Sequence, residues 1–316
     1  MAKLTLGELQ TFVKSYVAAA KQAGTWQATT DNMVGLIDKI GKIVTVADTF
    51  SDPLNGRLEG ENLDYGFTIE EWYANLAAPQ DYDPTGANTL APHNLTFEDC
   101  AYSTTLGRKV IAVTKKYDDI ERAVNSANDA ANITAKIMQR LTDSYQMYRF
   151  AIKKQLLGNV IDKAEAAGLS QVVAKPVDTQ TGEAFIKAVK NEIEKSKFPT
   201  ENTSLSKTLI APAPRLTLYI KKGIESVLSV DTKAGAFNPS ELGLDCDVVV
   251  VDDFGENGVA GAYAMLVDER GIKLHKDYEA IRDQENAEAD YVNFFMHSEH
   301  TAYISKFTYM EVFKEA

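Results

Sequence analysis

Apolar residues recur at helical spacing over one unusually long part of the chain, from Ile120 to Leu157, without an interrupting proline or glycine. Successive apolar positions are three or four residues apart and share one helical face: Ile133, Ile137, Leu141, Tyr145, Tyr148, Ile152 and Leu156. We predict a helix that ends near Gly158 and is roughly 50 Å long at about 1.5 Å per residue. A helix of that length is typical of a spine rather than of one layer in a compact enzyme.

The first 49 residues contain two shorter helical patterns. Thr5 and Glu8 have the spacing of a capping box, and apolar residues follow on one helical face until Gly24. A second helical pattern begins near Thr30. We therefore expect an amino-terminal helical arm whose apolar stripes need a partner.

Residues 50–107 have a different character, because they are rich in Asp, Pro, Gly and Asn around a short aromatic segment from Tyr65 to Leu76. The segment has too few apolar residues for a core of its own, and it is far longer than an ordinary connection. We expect an extended loop or hairpin that projects from the body. The sequence KVIAVT at 109–114 predicts a strand directly after it.

From Leu169 onward, short apolar runs alternate with amphipathic stretches, which is typical of a mixed α/β lobe. This pattern predicts strands at 172–175, 208–212 and 248–251 and helices at 181–198 and 216–228. The four valines at 248–251 suit a fully buried strand. Asn257 and Gly258 suit the tight turn of a hairpin that leads into the strand AYAMLV, and the rest of the chain is strand-like.

The formal net charge of −12 argues against a free-standing nucleic-acid-binding module, because neutralising phosphates requires clustered lysine and arginine. The charge is also unevenly distributed. Residues 50–107 carry a net −9, residues 108–230 a net +7, and residues 231–316 a net −11. Two interpretations remain open: solvated faces on one monomer, or complementary surfaces that meet between copies.

The composition, with 45% apolar and 25% charged residues, is that of an ordinary soluble globular protein and does not identify a function. The sequence contains no signal-peptide pattern and no apolar run long enough to span a membrane. Cys100 and Cys246 lack the spacing of a zinc site or redox pair, so we interpret both as small buried apolar residues. We expect no cofactor.

The sequence His297-Ser298-Glu299-His300 raises the question of a metal site. The density of Tyr, Phe, Val, Thr and Ile around it predicts a strand over 291–304, in which alternate residues face opposite sides. His297 and Glu299 then share one face and His300 the other, so the ligands do not converge. The glycines at 255, 258 and 261 lack the spacing of a phosphate-binding loop. We expect neither a metal site nor a catalytic site.

Two aromatic residues, Trp72 and Tyr73, lie in the acidic segment TIEEWYANL. Large aromatic side chains on a segment without a core are either anchored on the body of the same chain or contact another chain. Both interpretations stay open for each residue.

The order of elements resembles the major capsid proteins of tailed bacteriophages, with the HK-97-like α+β fold. Local sequences resemble a group of these proteins from small tailed phages: Tyr65-Gly66 followed by TIEEWYANLAAPQDYDP, then KVIAVT, and near the end AMLVDERGIKLHKDYEAIRDQENAEADYVNFFMHSEHTAYISKF. The resemblance implies a subunit that assembles into pentamers and hexamers of an icosahedral shell around double-stranded DNA. It also implies location in the virion capsid after synthesis in the cytoplasm of a bacterial host, without catalysis and without a membrane partner.

The resemblance implies a division of the chain into the regions of that fold. Residues 1–49 are the amino-terminal helical arm and residues 50–116 the extended E-loop, which reaches over a neighbouring subunit. Residues 117–168 with 255–316 form the peripheral domain around the spine helix. Residues 169–254 form the axial domain, whose loop at 231–243 approaches the axis of a pentamer or hexamer.

The type member of the fold joins its subunits covalently through an E-loop lysine, but no lysine lies between Ile43 and Arg108 here. We therefore expect noncovalent docking of the acidic loop on basic surface of the adjacent copy. The candidate inter-subunit contacts are two aromatic residues, two acids and six basic residues: Trp72, Tyr73, Asp81, Asp83, Arg140, Arg149, Lys153, Lys154, Lys221 and Lys222.

The sequence also leads to expectations about further partners of the chain and about two alternative functions. The presence of Met1 and the short amino-terminal arm favour a separate scaffolding protein over a fused one, and the resemblance implies a portal and non-specific contact with packaged DNA. One rival is an encapsulin-type compartment shell protein of the same fold. The other is a metal-dependent hydrolase using His297, Glu299 and His300.

Overall fold

The structure is a computed structural model of α+β type, and it describes the chain in twelve parts. These are residues 50–63, 68–77, 79, 81–82, 84–85, 94–103, 105–116, 127–208, 216–230, 244–286, 288–289 and 291–315, with backbone alone at 127–138 and 229–230. The predictions for the amino-terminal arm, for Asp83, for the loop at 231–243 and for most of the strand at 208–212 fall outside the described residues. The chain divides into two compact units, 1–49 with 116–136 and 50–115 with 137–316.

The described elements begin and end with strands and alternate between helices and strands in the middle of the chain. The strands are β1 Glu59–Asn62, β2 Ile69–Ala74, β3 Phe97–Tyr102, β4 Lys109–Lys116, β5 Ser170–Val172, β6 Leu216–Lys221, β7 Asp247–Val251, β8 Ala262–Asp268, β9 Ile272–Asn286, β10 Tyr291–Ile304 and β11 Met310–Lys314. The α-helices are α1 Ala127–Ala166, α2 Thr179–Ser196 and α3 Ile224–Val230, and a 3-10 turn covers Glu269–Gly271.

A five-stranded sheet with the order β5-β11-β8-β6-β7 forms the centre of the larger unit. Its two faces contribute to two separate apolar cores. One core contains α1 residues such as Leu157 and Ile161 together with Met265 of β8. The other contains α2 residues such as Phe185 together with Leu266 of β8. The central strands are therefore covered on both faces.

The predicted helix at 216–228 is wrong, because Leu216–Lys221 is strand β6 and only Ile224–Val230 is helical. Residues Leu216 to Ile220 are all buried between the two cores. A strand covered on both faces has a continuous apolar run rather than an alternating one, which periodicity cannot distinguish from a buried helix. Gly223, with a φ of 90°, makes the turn between the strand and the helix.

The strand at 248–251 is confirmed as β7, but the predicted hairpin at Asn257-Gly258 is wrong. β7 pairs in parallel with β6, and β8 pairs with the opposite side of β6, so the two strands are not neighbours. β7 also lies at the edge of the sheet with alternate burial, rather than fully buried. The connecting loop instead contacts the long helix: Gly258 N donates to Asp162 Oδ1 at 2.7 Å.

A second sheet has the order β1-β9-β10-β4 and contains the two longest strands, β9 and β10. The predicted strands at 109–114 and 291–304 are confirmed as β4 and β10. β10 pairs antiparallel with β9 along its whole length, and a bulge interrupts the register between Glu299 and His300. Asp277 is the additional residue on β9, because Glu299 pairs with Tyr278 and His300 with Lys276.

The long spine helix is confirmed as α1, but it does not end at Gly158. It continues to Ala166, and Gly168, with a φ of 73°, follows its last turn. Gly158 is a packing position instead. A Cβ there would overlap Phe254 O and would lie 2.8 Å from Glu256 O. The sequence feature that suggested a helix end is therefore the point at which the 252–256 loop crosses α1.

The start of the acidic segment corrects the prediction that residues 50–107 project from the body as a whole. Leu54 and Leu58 are completely buried in the core that contains α1 and β8. Arg57 between them donates to Glu269 at 2.7 Å and to Asp247 at 3.1 Å. The first part of the segment is thus fixed to its own chain, and projection stays a prediction for the later part.

Candidate inter-subunit surfaces

Strands β2 and β3 form a two-stranded antiparallel sheet in which Trp72 pairs with Asp99 and Tyr73 with Glu98. Exposure alternates along β2, with Trp72 on the exposed side and Tyr73 on the half-buried side. Adjacent residues of a strand face opposite sides, so the two aromatic residues have different environments. We call this pair of strands, β2 and β3, the hairpin.

The Tyr73 side of the hairpin is anchored on the body of its own chain. The Tyr73 ring stacks on Phe307 with 5.4 Å between ring centroids, and its hydroxyl donates to Thr208 O. On the same side Glu71 accepts from Ser305 Oγ at 2.6 Å and from Tyr102 Oη at 2.8 Å. Burial and the nearby Glu71 carboxylate raise the pKa of Tyr102. This side is a polar and aromatic joint within the chain.

The Trp72 side of the hairpin is exposed within the described residues. Trp72 retains 67% of its surface and Phe97 58%, and their rings meet edge to face at 6.5 Å between centroids. Leu76 and Leu95, next to the ends of the two strands, are exposed too. Exposed aromatic pairs with apolar neighbours are typical of contact surfaces with other proteins. We call Trp72, Phe97, Leu76 and Leu95 the hairpin face.

Lys153, predicted from the sequence as an inter-subunit contact, is completely buried in α1. Its ammonium group donates to Asp52 Oδ2 at 2.8 Å, to Leu54 O at 2.8 Å and to Glu59 Oε1 at 3.0 Å. Arg149, one turn earlier, lies 3.2 Å from the same Glu59 carboxylate. Burial raises the pKa of Glu59, but the Lys153 and Arg149 charges outweigh burial and hold it below its usual value.

The other predicted basic contacts differ in their surroundings. Lys154 donates to Asp252 at 2.8 Å and to Asp253 at 3.0 Å, both in its own chain. Lys221 donates to Ala262 O at 3.4 Å. Arg140 is half exposed and lies 3.7 Å from Asp143, and Lys222 is exposed.

On the acidic side, Asp81 is exposed. The structure therefore places Arg140, Lys222 and Asp81 at the surface of the single chain and brings Arg149, Lys153 and Lys154 together with acids of the same chain. Whether any of them contacts a second copy stays a prediction.

The two histidines of β10 occupy opposite faces, as the strand pattern predicts. His300 is buried against α1, with Nε2 3.3 Å from the Tyr145 hydroxyl, whereas His297 is partly exposed. Burial lowers the pKa of His300 to about 4, and the Arg149 charge acts in the same direction. Among the residues that the structure describes, no group of three or more His, Cys, Asp or Glu side chains is placed to hold a metal ion.

The cysteines and the described helices add little to the candidate surfaces. Cys246 is buried, which raises the pKa of its thiol to about 12, and Cys100 is half-buried in β3. No α-helix within the described ranges combines the length and the apolar character needed to cross a membrane.

Sequence reasoning missed strand β3 and with it Phe97. The alternation in FEDCAY is regular, but its polarity is reversed: Phe97 is exposed, whereas Glu98 is half-buried and binds Lys207. An alternating pattern predicts a strand of a monomer when its apolar residues face the body, and here the apolar Phe97 faces solvent. The pattern has a physical explanation if the solvent-facing side of β3 contacts another protein.

The arrangement of spine helix, hairpin and long paired strands is that of the HK-97-like capsid fold of tailed phages. The chain is similar to a protein in the capsid structure of Staphylococcus phage Andhra, with 13% sequence identity, a TM-score of 0.71 and coverage of 87% of both chains. It is also similar to a chain of the mature capsid of bacteriophage PhiM1, with 10% identity, a TM-score of 0.59 and coverage of 87% of this chain and 90% of that one.

The family described as Phi29-like phage major capsid protein matches residues 10–314, so the chain belongs to this family of structural capsid proteins. The major capsid protein of Bacillus phage PZA is 23% identical over 287 residues, which are 87% of this chain and 61% of that protein. That of Bacillus phage GA-1 is 23% identical over 270 residues, or 83% and 56%. The chain thus spans about three fifths of the length of these relatives. The predicted fold class and family resemblance are confirmed.

Proposed function

We propose that the chain is a major capsid subunit that assembles with copies of itself into the icosahedral shell of a phage virion, enclosing double-stranded DNA. The observation that carries the proposal is the two-sided hairpin within a capsid fold. One side is fixed to its own body by Tyr73, and the other presents Trp72 and Phe97 to solvent. A monomeric protein gains nothing from an exposed aromatic pair held rigidly in this way.

The division into capsid regions forms part of this proposal. Residues 50–116 are the E-loop, 117–168 with 255–316 the peripheral domain, 169–254 the axial domain and 1–49 the arm. The contacts of Leu54, Leu58 and Lys153 suggest that the E-loop begins with an anchored segment, 50–62, and that its reach comes from the hairpin. The hairpin face then lies on an adjacent copy.

The charge order supports docking between copies. The acidic segment at 50–107 has a net charge of −9 and the following segment, 108–230, a net charge of +7. Each exposed ion pair contributes only about 0.2 to 1 kcal/mol. Repetition around a closed shell makes such contacts sufficient. Arg140 and Lys222 are the candidate basic residues most exposed in the single chain, and Asp81 is an exposed acid of the loop.

The remaining parts of the proposal concern partners and location. The subunit acts without catalysis or cofactor, uses a separate scaffolding protein, joins a portal and contacts packaged DNA without sequence preference. It is synthesised in the host cytoplasm and ends in the virion. The acidic net charge of −12 supports a shell that encloses DNA without binding it tightly.

The experiment is sedimentation velocity with electron microscopy of the overexpressed protein at low and high salt, for the wild type and for a double variant with Arg140→Glu and Lys222→Glu. Shells in the wild type at low salt, and their loss at high salt or in the variant, are expected. The matched control reverses Lys175 and Lys187. Shell formation that is indifferent to both salt and Arg140/Lys222 reversal contradicts the docking. A protein that stays monomeric in every condition, also when its scaffolding protein is co-expressed, contradicts the shell.

A further inference from the structure

Two glutamates lie together in the interior of the lobe formed by α2 and β11. Glu192 of α2 is 1% exposed and Glu311 of β11 is 4% exposed. Buried carboxylates ordinarily have a basic partner, because an unpaired buried charge is costly. Here the Glu311 carboxylate is in reach of an amide, since Asn202 Nδ2 donates to Glu311 Oε2 at 2.9 Å.

The surroundings of the pair contain few charges. From α2, Lys195 binds Glu192 Oε1, and its own side chain is more than half exposed. From the turn before β11, the Tyr309 hydroxyl donates to Glu192 Oε2 at 3.1 Å. From β5, the neutral Gln171 amide donates to Glu192. Among the described residues packed here, one partly solvated ammonium group therefore serves two buried carboxylates.

This imbalance has a direct consequence for protonation. Burial first, and then the neighbouring Glu192 charge, raise the pKa of Glu311 to about 7. The pKa of Tyr309 is raised as well, chiefly by burial, so its hydroxyl stays a donor. Because the Glu192 carboxylate already occupies this buried site, the charge of Glu311 appears only near neutral pH.

The residue that contacts Glu311 also belongs to the loop that holds the hairpin. Asn202 accepts Met310 N at its backbone oxygen at 3.1 Å, so this loop is attached to β11 at both side chain and backbone. Six residues further, Thr208 O accepts the Tyr73 hydroxyl, and Lys207 binds Glu98 and lies 3.5 Å from Asn75 Oδ1. One short loop, 200–208, thus joins the acid pair to both strands of the hairpin.

We propose that Glu192 and Glu311 form a pH-sensitive latch: while Glu311 is protonated the 200–208 loop stays docked on β11 and fixes the hairpin, and loss of that proton loosens both. The trigger is burial of the charge and its repulsion by Glu192, which together outweigh the stronger hydrogen bond that Asn202 donates to a charged Glu311 carboxylate. The loop carries the change to Lys207 and Thr208. The partner of the latch is the hairpin of the same chain, so the inference stands without the proposed shell.

The test is hydrogen exchange of the unassembled chain at pH 6 and pH 8, read as protection factors corrected for the intrinsic pH dependence of exchange. The opened carboxyl titrates near its ordinary 4.5 and the closed one near 7. Opening that exposes Glu311 should therefore become about tenfold more frequent between these pH values. We expect protection of 200–208 and of both hairpin strands to fall by that factor, and protection of α1 to stay constant.

Variants separate the latch from a general effect of pH. Glu311→Gln should abolish the pH-dependent fall in protection, and Glu192→Gln should reduce it because the repelling charge is gone. The control Glu285→Gln, at an exposed position of β9, should leave the fall tenfold. If Glu311→Gln does not fold, the Glu192→Gln result decides. The latch is overturned if protection in the wild type does not change with pH, or if the tenfold change is kept in the Glu311 and Glu192 variants. It is also overturned if the change is confined to residues 200–208 and does not reach the hairpin. Failure to form shells overturns the proposed function and leaves the latch intact.

Discussion

The ammonium group of Lys153 lies 2.8 Å from the carboxylate of Asp52, with the lysine side chain completely buried. The pair joins the middle of the spine helix to the first described turn of the acidic segment. The same ammonium group also donates to Leu54 O and to Glu59 Oε1. The beginning of the proposed E-loop is therefore a fixed structural element whose position is set by α1.

Replacing Lys153 by methionine should destabilise the protein by on the order of 3 kcal/mol, because the partly buried Asp52 and Glu59 carboxylates lose the counter-charge of a completely buried lysine. The adjacent Lys154→Met is the matched control. Its partners Asp252 and Asp253 are about half exposed, so its loss should cost about 1 kcal/mol or less. Urea unfolding measures both. Equal costs for the two lysines would show that the buried contact has no special role.

Gly158→Ala should destabilise the protein by about 1 to 3 kcal/mol, because the added methyl group overlaps the 252–256 loop. Helix propensity alone predicts the opposite sign, since alanine is favoured over glycine by roughly 1 kcal/mol inside a helix. Thermal unfolding compares the variant with Asn159→Ala, an exposed neighbour on α1. A Gly158→Ala variant more stable than the wild type would contradict the close approach of Phe254 O.

His300 should make the protein sensitive to moderate acid. Its pKa is lowered to about 4 in the folded state against about 6.5 in an unfolded chain, so the folded state disfavours the proton. The contribution of neutral His300 is complete above pH 6.5 and is lost as the pH falls toward 4, by up to about 3 kcal/mol. Unfolding of His300→Gln should lack this part of the pH dependence, and His297→Gln should retain it. The same curve in both variants would rule the mechanism out.

Cys246 should react with a thiol reagent much more slowly than Cys100, because burial raises the pKa of its thiol to about 12 and shields the sulfur. Single variants Cys246→Ser and Cys100→Ser, titrated at pH 8 in the native state, measure the two rates separately. The remaining thiol should be slow in Cys100→Ser and faster in Cys246→Ser. Equal native rates would mean that the α2 side of the sheet opens readily.

The sequence predicted elements with a clear period and missed those whose pattern depends on tertiary context. The spine helix and β10 have long regular patterns, and both are confirmed. The segment LTLYI could not be identified as a strand, because a strand buried on both faces has no period. The pair Asn257-Gly258 suits a tight hairpin, but strand order in a sheet is a long-range property that no dipeptide determines.

The sequence predicted that the acidic segment carries a contact surface, but it predicted only part of the residues that form this surface. The sequence identified Trp72 and Tyr73 as notable without distinguishing them, and alternation along β2 gives them opposite roles. It suggested Lys153 as a surface contact, because a lysine on an amphipathic helix is usually solvated. Its burial depends on Asp52 and Glu59, about a hundred residues away, whose approach no local pattern indicates.

Site-specific photo-crosslinking is the most direct measurement, with a benzophenone side chain at position 72 or 73 in the overexpressed, assembled protein. We expect a benzophenone at position 72 to link two copies, which gives a dimer band in a denaturing gel. Position 73, which faces Phe307 of its own body, should yield links within one chain. Links from position 72 that stay within one chain of the assembled protein, without a dimer band, would contradict the claim that the hairpin face lies on a second copy.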